Sequence, residues 1–379
     1  MSVQKSYALQ IQHILSTLLD QLQIPYTSPP YDHPLHDACI HGALSRGISL
    51  SGPVHIGPYL PVGVSISSNG YSHLPDPNTR VYIALYTAAL VAVEDVCGNN
   101  IDLLRAFCHQ FLTSAPHHHP IMDTYDLLLR ELPTHFDPVP ADMMLQSNID
   151  FIVANVLEYE MQHRLVSPCA TGFPVFLRNL SGAAKIYSLL AYPRNIPVRS
   201  YIQAIPASMT YVNFINDIFS FYKEELAHES VNCISNLARC THRPKLAVLQ
   251  HLADQSVHAH HEILAVLGDD PADPRVLTAY LAFCRGYVYF HTSSKRYRVP
   301  DLWQLATAEK NHDKSSQVLL PVAAAGLSTS PTRTSLGKGR TSITPRIKIL
   351  AAIMVLLFLT SLSLLFKFAP PHFPLPLDV

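Results

Sequence analysis

Asn216, Ser220 and Glu224 stand at i, i+4 and i+8 in the run Asn216-Asp217-Ile218-Phe219-Ser220-Phe221-Tyr222-Lys223-Glu224-Glu225. A helix through that run sets them about one turn apart on a single face. An amide oxygen, a hydroxyl and a carboxylate in a row are hard-oxygen donors, a set suited to Mg2+ that leaves coordination positions for phosphate and water. Lys223, beside the last of them, can reach a phosphate oxygen as a point charge. The same spacing also describes an ordinary polar helix face, so periodicity alone leaves both readings open.

Two further stretches carry phosphate-binding types. In Phe173-Pro174-x-Phe176-Leu177-Arg178-x-x-Ser181-Gly182 a glycine interrupts an apolar helical pattern, where it permits a kink, and Arg178 one turn earlier offers a bidentate clamp. Taken alone, Arg178 also reads as a surface residue. Gly286-Tyr287-x-x-x-His291-x-x-x-Lys295-Arg296-Tyr297-Arg298 ends in a basic cluster of the kind that complements a helix C-terminus.

Together these stretches resemble the class I terpene cyclases. Asn-Asp-x-x-Ser-x-x-Lys-Glu matches their second metal motif, and the wording NDIFSFYKEE is especially close to the trichodiene synthase group of fungal sesquiterpene cyclases. The resemblance implies an α-helical terpenoid-synthase bundle, three Mg2+ ions and a prenyl diphosphate substrate. It gives Asn216, Ser220 and Glu224 the role of metal ligands. It makes Arg178 the diphosphate-sensing arginine, Ser181 a linker and Gly182 the source of an effector carbonyl. Arg296 and Tyr297 inherit the pair that closes over the diphosphate, and Lys223 joins them in binding it.

The first metal motif departs from the family pattern. An aspartate-rich cluster is expected at the end of an apolar helix, and Val81–Val93 supplies the helix, but the next residues are Glu94-Asp95-Val96-Cys97-Gly98-Asn99-Asn100-Ile101-Asp102. In the register that follows the helix directly, Glu94 and Asp95 replace the leading pair and Gly98 fills the final acidic position. In a later register only Asp102 survives. Glu94, Asp95 and Asp102 are therefore the candidate acids, and a missing carboxylate weakens a hard-cation site.

Other chemistry is less specific. His117-His118-His119 lies between prolines, and His258, His260, His261 and Glu262 lack an HExxH spacing, so packing or solvation is expected of both clusters, with transition-metal binding as the alternative. Tyr82, Tyr86, Phe214, Phe219, Tyr287 and Phe290 recur at helical spacing, where core packing is the default; in a cyclase some of them face the carbocation. Seven scattered cysteines without a Cys-x-x-Cys pair argue against a disulfide framework or a thiolate zinc site.

The elements that must position these residues are helices. Apolar residues recur at three- and four-residue spacing over Val81–Asp95, Ile101–Leu112, Ile121–Leu132, Met143–Gln162, Phe173–Leu190, Tyr201–Glu225, Pro244–Leu267 and Arg275–Thr292, and strand signals are weak. Prolines fall mostly between these segments. Met1 to Gln23 also has a helical rhythm and lacks the apolar core of a signal peptide. Residues 1–308 thus read as one all-α domain of roughly ten helices.

Of the 379 residues, 48% are hydrophobic and 15% charged, and 27 Lys+Arg face 28 Asp+Glu for a net charge of −1. That composition excludes a disordered chain and argues against a nucleic-acid partner. Residues 309–345 turn to Ser, Thr, Gly, Pro and basic types and read as a flexible tether. Residues 346–368 hold the uncharged run Ile349–Phe366, of 18 residues, between Lys348 and Lys367. At 1.5 Å per residue that run spans roughly 27 Å, enough for a thin bilayer. Arg333, Lys338, Arg340, Arg346 and Lys348 precede it, which predicts a single-pass tail anchor with a cytosolic body, residues 369–379 on the far side, and the endoplasmic reticulum as its membrane. A buried core helix is the alternative, although such a helix normally keeps a polar face.

The expected activity is Mg2+-dependent ionisation of farnesyl diphosphate and cyclisation of the resulting cation to a sesquiterpene. The membrane and a second copy of the chain are the partners to consider besides the substrate. The competing expectation is a catalytically impaired, membrane-tethered protein that binds prenyl diphosphates without turning them over.

Overall fold

A computed structural model of the chain describes residues 3–97, 100–268 and 273–318. Fourteen α-helices run through these residues: α1 (Val3–Gln21), α2 (His33–Ser45), α3 (Leu60–Gly70), α4 (Pro77–Cys97), α5 (Ile101–Thr113), α6 (Pro120–His135), α7 (Pro138–Met161), α8 (Phe173–Ser181), α9 (Ala184–Leu189), α10 (Ile205–Leu226), α11 (Cys233–Thr241), α12 (Lys245–Gly268), α13 (Pro274–Ser293) and α14 (Val299–Val318). A single 3-10 turn, Lys295–Tyr297, joins the last two. Among the described residues there is no strand.

Polar caps and prolines decide where the site-bearing helices begin. Asp76 accepts from the backbone N–H groups of Asn78 (3.0 Å) and Thr79 (3.2 Å), which fixes the start of α4 at Pro77. Asp273 does the same for α13 through Arg275 N–H at 3.2 Å. α10 starts with Ile205-Pro206 and is buried nearly all round, with Tyr211, Ile215, Ile218, Phe219 and Phe221 at 0% exposure. A helix buried on nearly every side belongs at the centre of a bundle. α12, α9 and α13 pack around α10, while α3 lies against both α4 and α13. Gly286 permits the last contact, because a Cβ there would fall 1.9 Å from the carbonyl oxygen of Asn69 on α3.

The structure refines the sequence expectation in two places. The periodic stretch Phe173–Leu190 is two helices: α8 stops at Gly182, and Ala183 takes a left-handed conformation (φ 48°) before α9 begins. The chain also stays helical beyond residue 308, since α14 runs to Val318, ten residues into the stretch read as tether, and residues 1–319 form one compact unit. The expected anchor at 346–368, the rest of the tether and the tail lie outside the described residues. No helix among the described residues is long and apolar enough to cross a membrane.

Candidate active site

A cavity of about 170 Å³ opens between α3, α4, α7, α8, α9, α10 and α13. α4 contributes Thr87, Leu90, Val91 and Glu94, one face at three- and four-residue spacing. α10 contributes Asn216, Ser220, Lys223 and Glu224, also on one face, and Arg178, Ser181, Gly182 and Ala183 enter from the break between α8 and α9. Arg296 and Tyr297 close the far side from the 3-10 turn after α13. Three sequence stretches that carry phosphate- and metal-binding types therefore share one concave surface.

The polar face of α10 is tied to its surroundings. The Asn216 amide oxygen accepts from Arg178 Nη2 at 2.9 Å, and its nitrogen lies 3.2 Å from both His291 Nε2 and the Tyr297 hydroxyl. Arg178 also pairs with Asp217, Nε to Oδ1, at 2.8 Å. Burial disfavours the charged form of Arg178 and is the largest influence on it, but the Asp217 carboxylate, with Cys233, Tyr287 and Glu158 adding to it, raises the guanidinium pKa. Burial pushes the Asp217 carboxyl up to about 6, with Arg178 opposing and Glu224 adding to the rise. Lys223 Nζ donates to Glu224 Oε1 at 3.1 Å, and the Ser220 hydroxyl donates to the Asp217 carbonyl at 3.3 Å.

Gly182 is sterically required at the α8–α9 break. A Cβ there would fall 2.0 Å from Asn213 Oδ1 and 2.6 Å from the Arg178 carbonyl oxygen. The close approach lets the Asn213 amide nitrogen donate to Asn179 Oδ1 at 3.0 Å, so α8 is clamped to α10 beside the arginine.

Of the three candidate acids of the first motif, Glu94 alone lines the cavity. It reaches solvent there yet is ringed by protein, and that desolvation raises its pKa against the pull of Arg296. Asp95 faces the Tyr59 hydroxyl, whose pKa is raised by burial and by the Asp95 charge, and it does not line the cavity. Asp102 is not brought to the site: it opens α5, its side chain is 82% exposed, and it pairs with Arg105 at 2.9 Å. An acid in the first turn of a separate helix complements that helix's N-terminus and faces water.

Sequence reasoning missed several neighbours. Glu158, on α7, has its pKa raised by burial while the Ser181 hydroxyl and Arg178 act against the rise. Phe151 and Tyr187 line the cavity with Tyr287 and Phe290, and the Tyr187 hydroxyl donates to Thr87 at 3.3 Å. Tyr82, Tyr86, Phe214 and Phe219 are core residues that do not line it. Helical spacing marks both groups as buried and carries no sign of which neighbour stops short and leaves a void. Asp217 and His291 lay inside the quoted motifs without a role.

Each histidine cluster has one buried, partnered member, while His118, His258 and His261 are exposed. His117 Nε2 lies 2.7 Å from Asp126 Oδ2, and His260 Nδ1 lies 2.8 Å from the Tyr280 hydroxyl. Among the described residues no group of three or more His, Cys, Asp or Glu side chains could hold a metal ion. The oxygen set on the cavity is of another kind, with Asn216, Ser220 and Glu224 on α10 and Glu94 on the facing helix. Amide, hydroxyl and carboxylate oxygens without nitrogen or sulfur suit Mg2+.

Comparison with known proteins bears on this cavity. The sequence model of the trichodiene synthase family matches residues 62–326. Alpha-cuprenene synthase of Coprinopsis cinerea is 34% identical over 304 residues, which cover 80% of this chain and 93% of its own. The (E)-beta farnesene synthase of Metarhizium brunneum is 27% identical over 254 residues, 65% of this chain and 75% of its own. Linalool/nerolidol synthase of Streptomyces clavuligerus superposes with a TM-score of 0.53 over 71% of this chain and 98% of its own, at 13% identity, a likeness of fold.

Proposed function

The chain belongs to the trichodiene synthase family, a family of class I terpene cyclases, and from that membership we propose that it is a sesquiterpene synthase acting on farnesyl diphosphate with Mg2+. One observation carries the reading. A single cavity joins a strip of oxygen donors on α10, three cationic side chains and an aromatic wall.

Arg178, Lys223 and Arg296, with the Tyr297 hydroxyl, supply the donors that bind and orient a diphosphate. Asn216, Ser220 and Glu224, with Glu94 opposite, are the residues that would hold Mg2+. The metal would supply positive charge that stabilises the departing diphosphate. Directed donors of this kind stabilise charge as it develops on the leaving oxygens. On the other side of the breaking bond an allylic cation is left among Phe151, Tyr187, Tyr287 and Phe290, whose ring faces attract it by about 0.5–2 kcal/mol each. Val62, Ile66, Leu90 and Val91 complete an apolar lining that keeps water from capturing the cation early.

The experiment is a comparison of geranyl, farnesyl and geranylgeranyl diphosphates by release of inorganic diphosphate. The reading predicts at least about tenfold higher kcat/KM for farnesyl diphosphate, equivalent to about 1.4 kcal/mol of discrimination. Equal or better turnover of another chain length would contradict it.

The proposal extends to residues 346–368 as a tail anchor. Its support is the uncharged run Ile349–Phe366 and the basic residues before it. A body held near a bilayer would release an apolar product beside a phase that dissolves it.

A further inference from the structure

We infer that His291 is a positioning residue that sets the Asn216 amide with its oxygen toward the cavity and its nitrogen toward the core. The inference rests on the reading of Asn216 as a Mg2+ ligand, because an amide serves a cation only through its oxygen.

The orientation follows from which atoms can donate. His291, on α13, is 0% exposed, and its Nδ1 lies 2.7 Å from the backbone carbonyl oxygen of Tyr287. A carbonyl has no proton to give, so Nδ1 carries the hydrogen and Nε2 of the neutral ring is an acceptor. The Asn216 atom 3.2 Å from Nε2 must then be the amide nitrogen. The nitrogen's second hydrogen goes to the Tyr297 hydroxyl at 3.2 Å. At the other end Arg178 Nη2, a donor only, lies 2.9 Å from the amide oxygen and requires an acceptor there. A flipped amide would set N–H against guanidinium and oxygen against the imidazole lone pair.

The three partners differ in how firmly they are held. Arg178 and Tyr297 line the cavity, and in the proposed function both turn to the diphosphate. His291 does not line it. Its ring is packed among Phe219, Tyr287, Phe290 and Tyr297, with centroids 4.5–5.7 Å away, and Nδ1 is fixed by the backbone of its own helix. His291 is thus the partner that keeps the amide aimed when the other two have moved.

The test is calorimetric titration of the full-length chain with inorganic diphosphate at a series of Mg2+ concentrations. Loss of one such hydrogen bond is worth about fivefold or more, so His291→Leu should raise the Mg2+ concentration needed for half-maximal diphosphate binding by that factor. His291→Gln carries an acceptor oxygen near the place of Nε2 and should stay within about twofold of wild type. Asn216→Asp added to His291→Leu should restore the Mg2+ requirement, because a carboxylate offers oxygen in either orientation. An unchanged Mg2+ requirement in His291→Leu, or no restoration by Asn216→Asp, would overturn the inference and leave the proposed function standing. If His291→Leu does not fold by circular dichroism, His291→Asn replaces it: asparagine reaches only the Nδ1 position, and equal behaviour of the Asn and Gln variants would overturn the inference. Failure of wild type to bind diphosphate with Mg2+ would overturn the proposed function and the inference with it.

Discussion

Two of the cations in the cavity already hold an oxygen: Arg178 the Asn216 amide and the Asp217 carboxylate, Lys223 the Glu224 carboxylate. Cations and ligand oxygens thus hold one another in place, and a diphosphate with its metal would exchange those pairs for new ones. Glu224→Gln keeps the shape and removes the charge. It should lower turnover at least about tenfold, or roughly 1.4 kcal/mol of barrier, in steady-state kinetics; unchanged kinetics would remove Glu224 from the metal set. Helix geometry put Asn216, Ser220 and Glu224 on one face, and the resemblance of their motif, not the spacing, singled that face out. Glu158, Phe151 and Tyr187 were not legible in the sequence, because their place depends on how α7 and α9 pack against helices distant in sequence. Asp102 came from the later register: α5 starts as a separate helix after the non-helical Asn100 and turns that acid to solvent.

Among the elements, the break between α8 and α9 does most to shape the site, since it delivers Arg178, Ser181 and Gly182 to the cavity from one turn of chain. The sequence marked the kink through its glycine, but the left-handed Ala183 that completes the break had no local signal. Gly182→Ala puts a methyl group against the Arg178 carbonyl and Asn213, and overpacking of that kind costs about 1–3 kcal/mol. Urea denaturation should show that loss, and turnover should fall with it because Arg178 sits one turn away. Ala183→Gly is the control. It should leave stability unchanged or raise it by up to about 1 kcal/mol, since glycine adopts positive φ without the Cβ penalty. A Gly182→Ala variant as stable as wild type would show that the break tolerates a side chain and owes its place to other contacts.

At the scale of the whole molecule, the all-helical body was legible because most of its helices are long and strongly periodic. The short α2, α3 and α11 escaped, as did α14, whose second half has few apolar residues. α14 ends at Val318 and the family match at residue 326, so a chain ending at Leu327 keeps both. That chain should retain the catalytic constants of the full-length protein and lose its sedimentation with membranes, as measured by kinetics and carbonate extraction. Full-length protein that stays in solution without detergent would remove the proposed anchor. The central claim, that the cavity ionises a prenyl diphosphate and folds the cation to a cyclic product, is tested most directly by incubating the protein with farnesyl diphosphate and identifying the products by gas chromatography and mass spectrometry. The account predicts a cyclic C15 hydrocarbon or alcohol, formed in step with diphosphate release, lost on chelation of Mg2+ and strongly reduced in Glu224→Gln. Folded protein that binds farnesyl diphosphate with Mg2+ and yields no such product would contradict it.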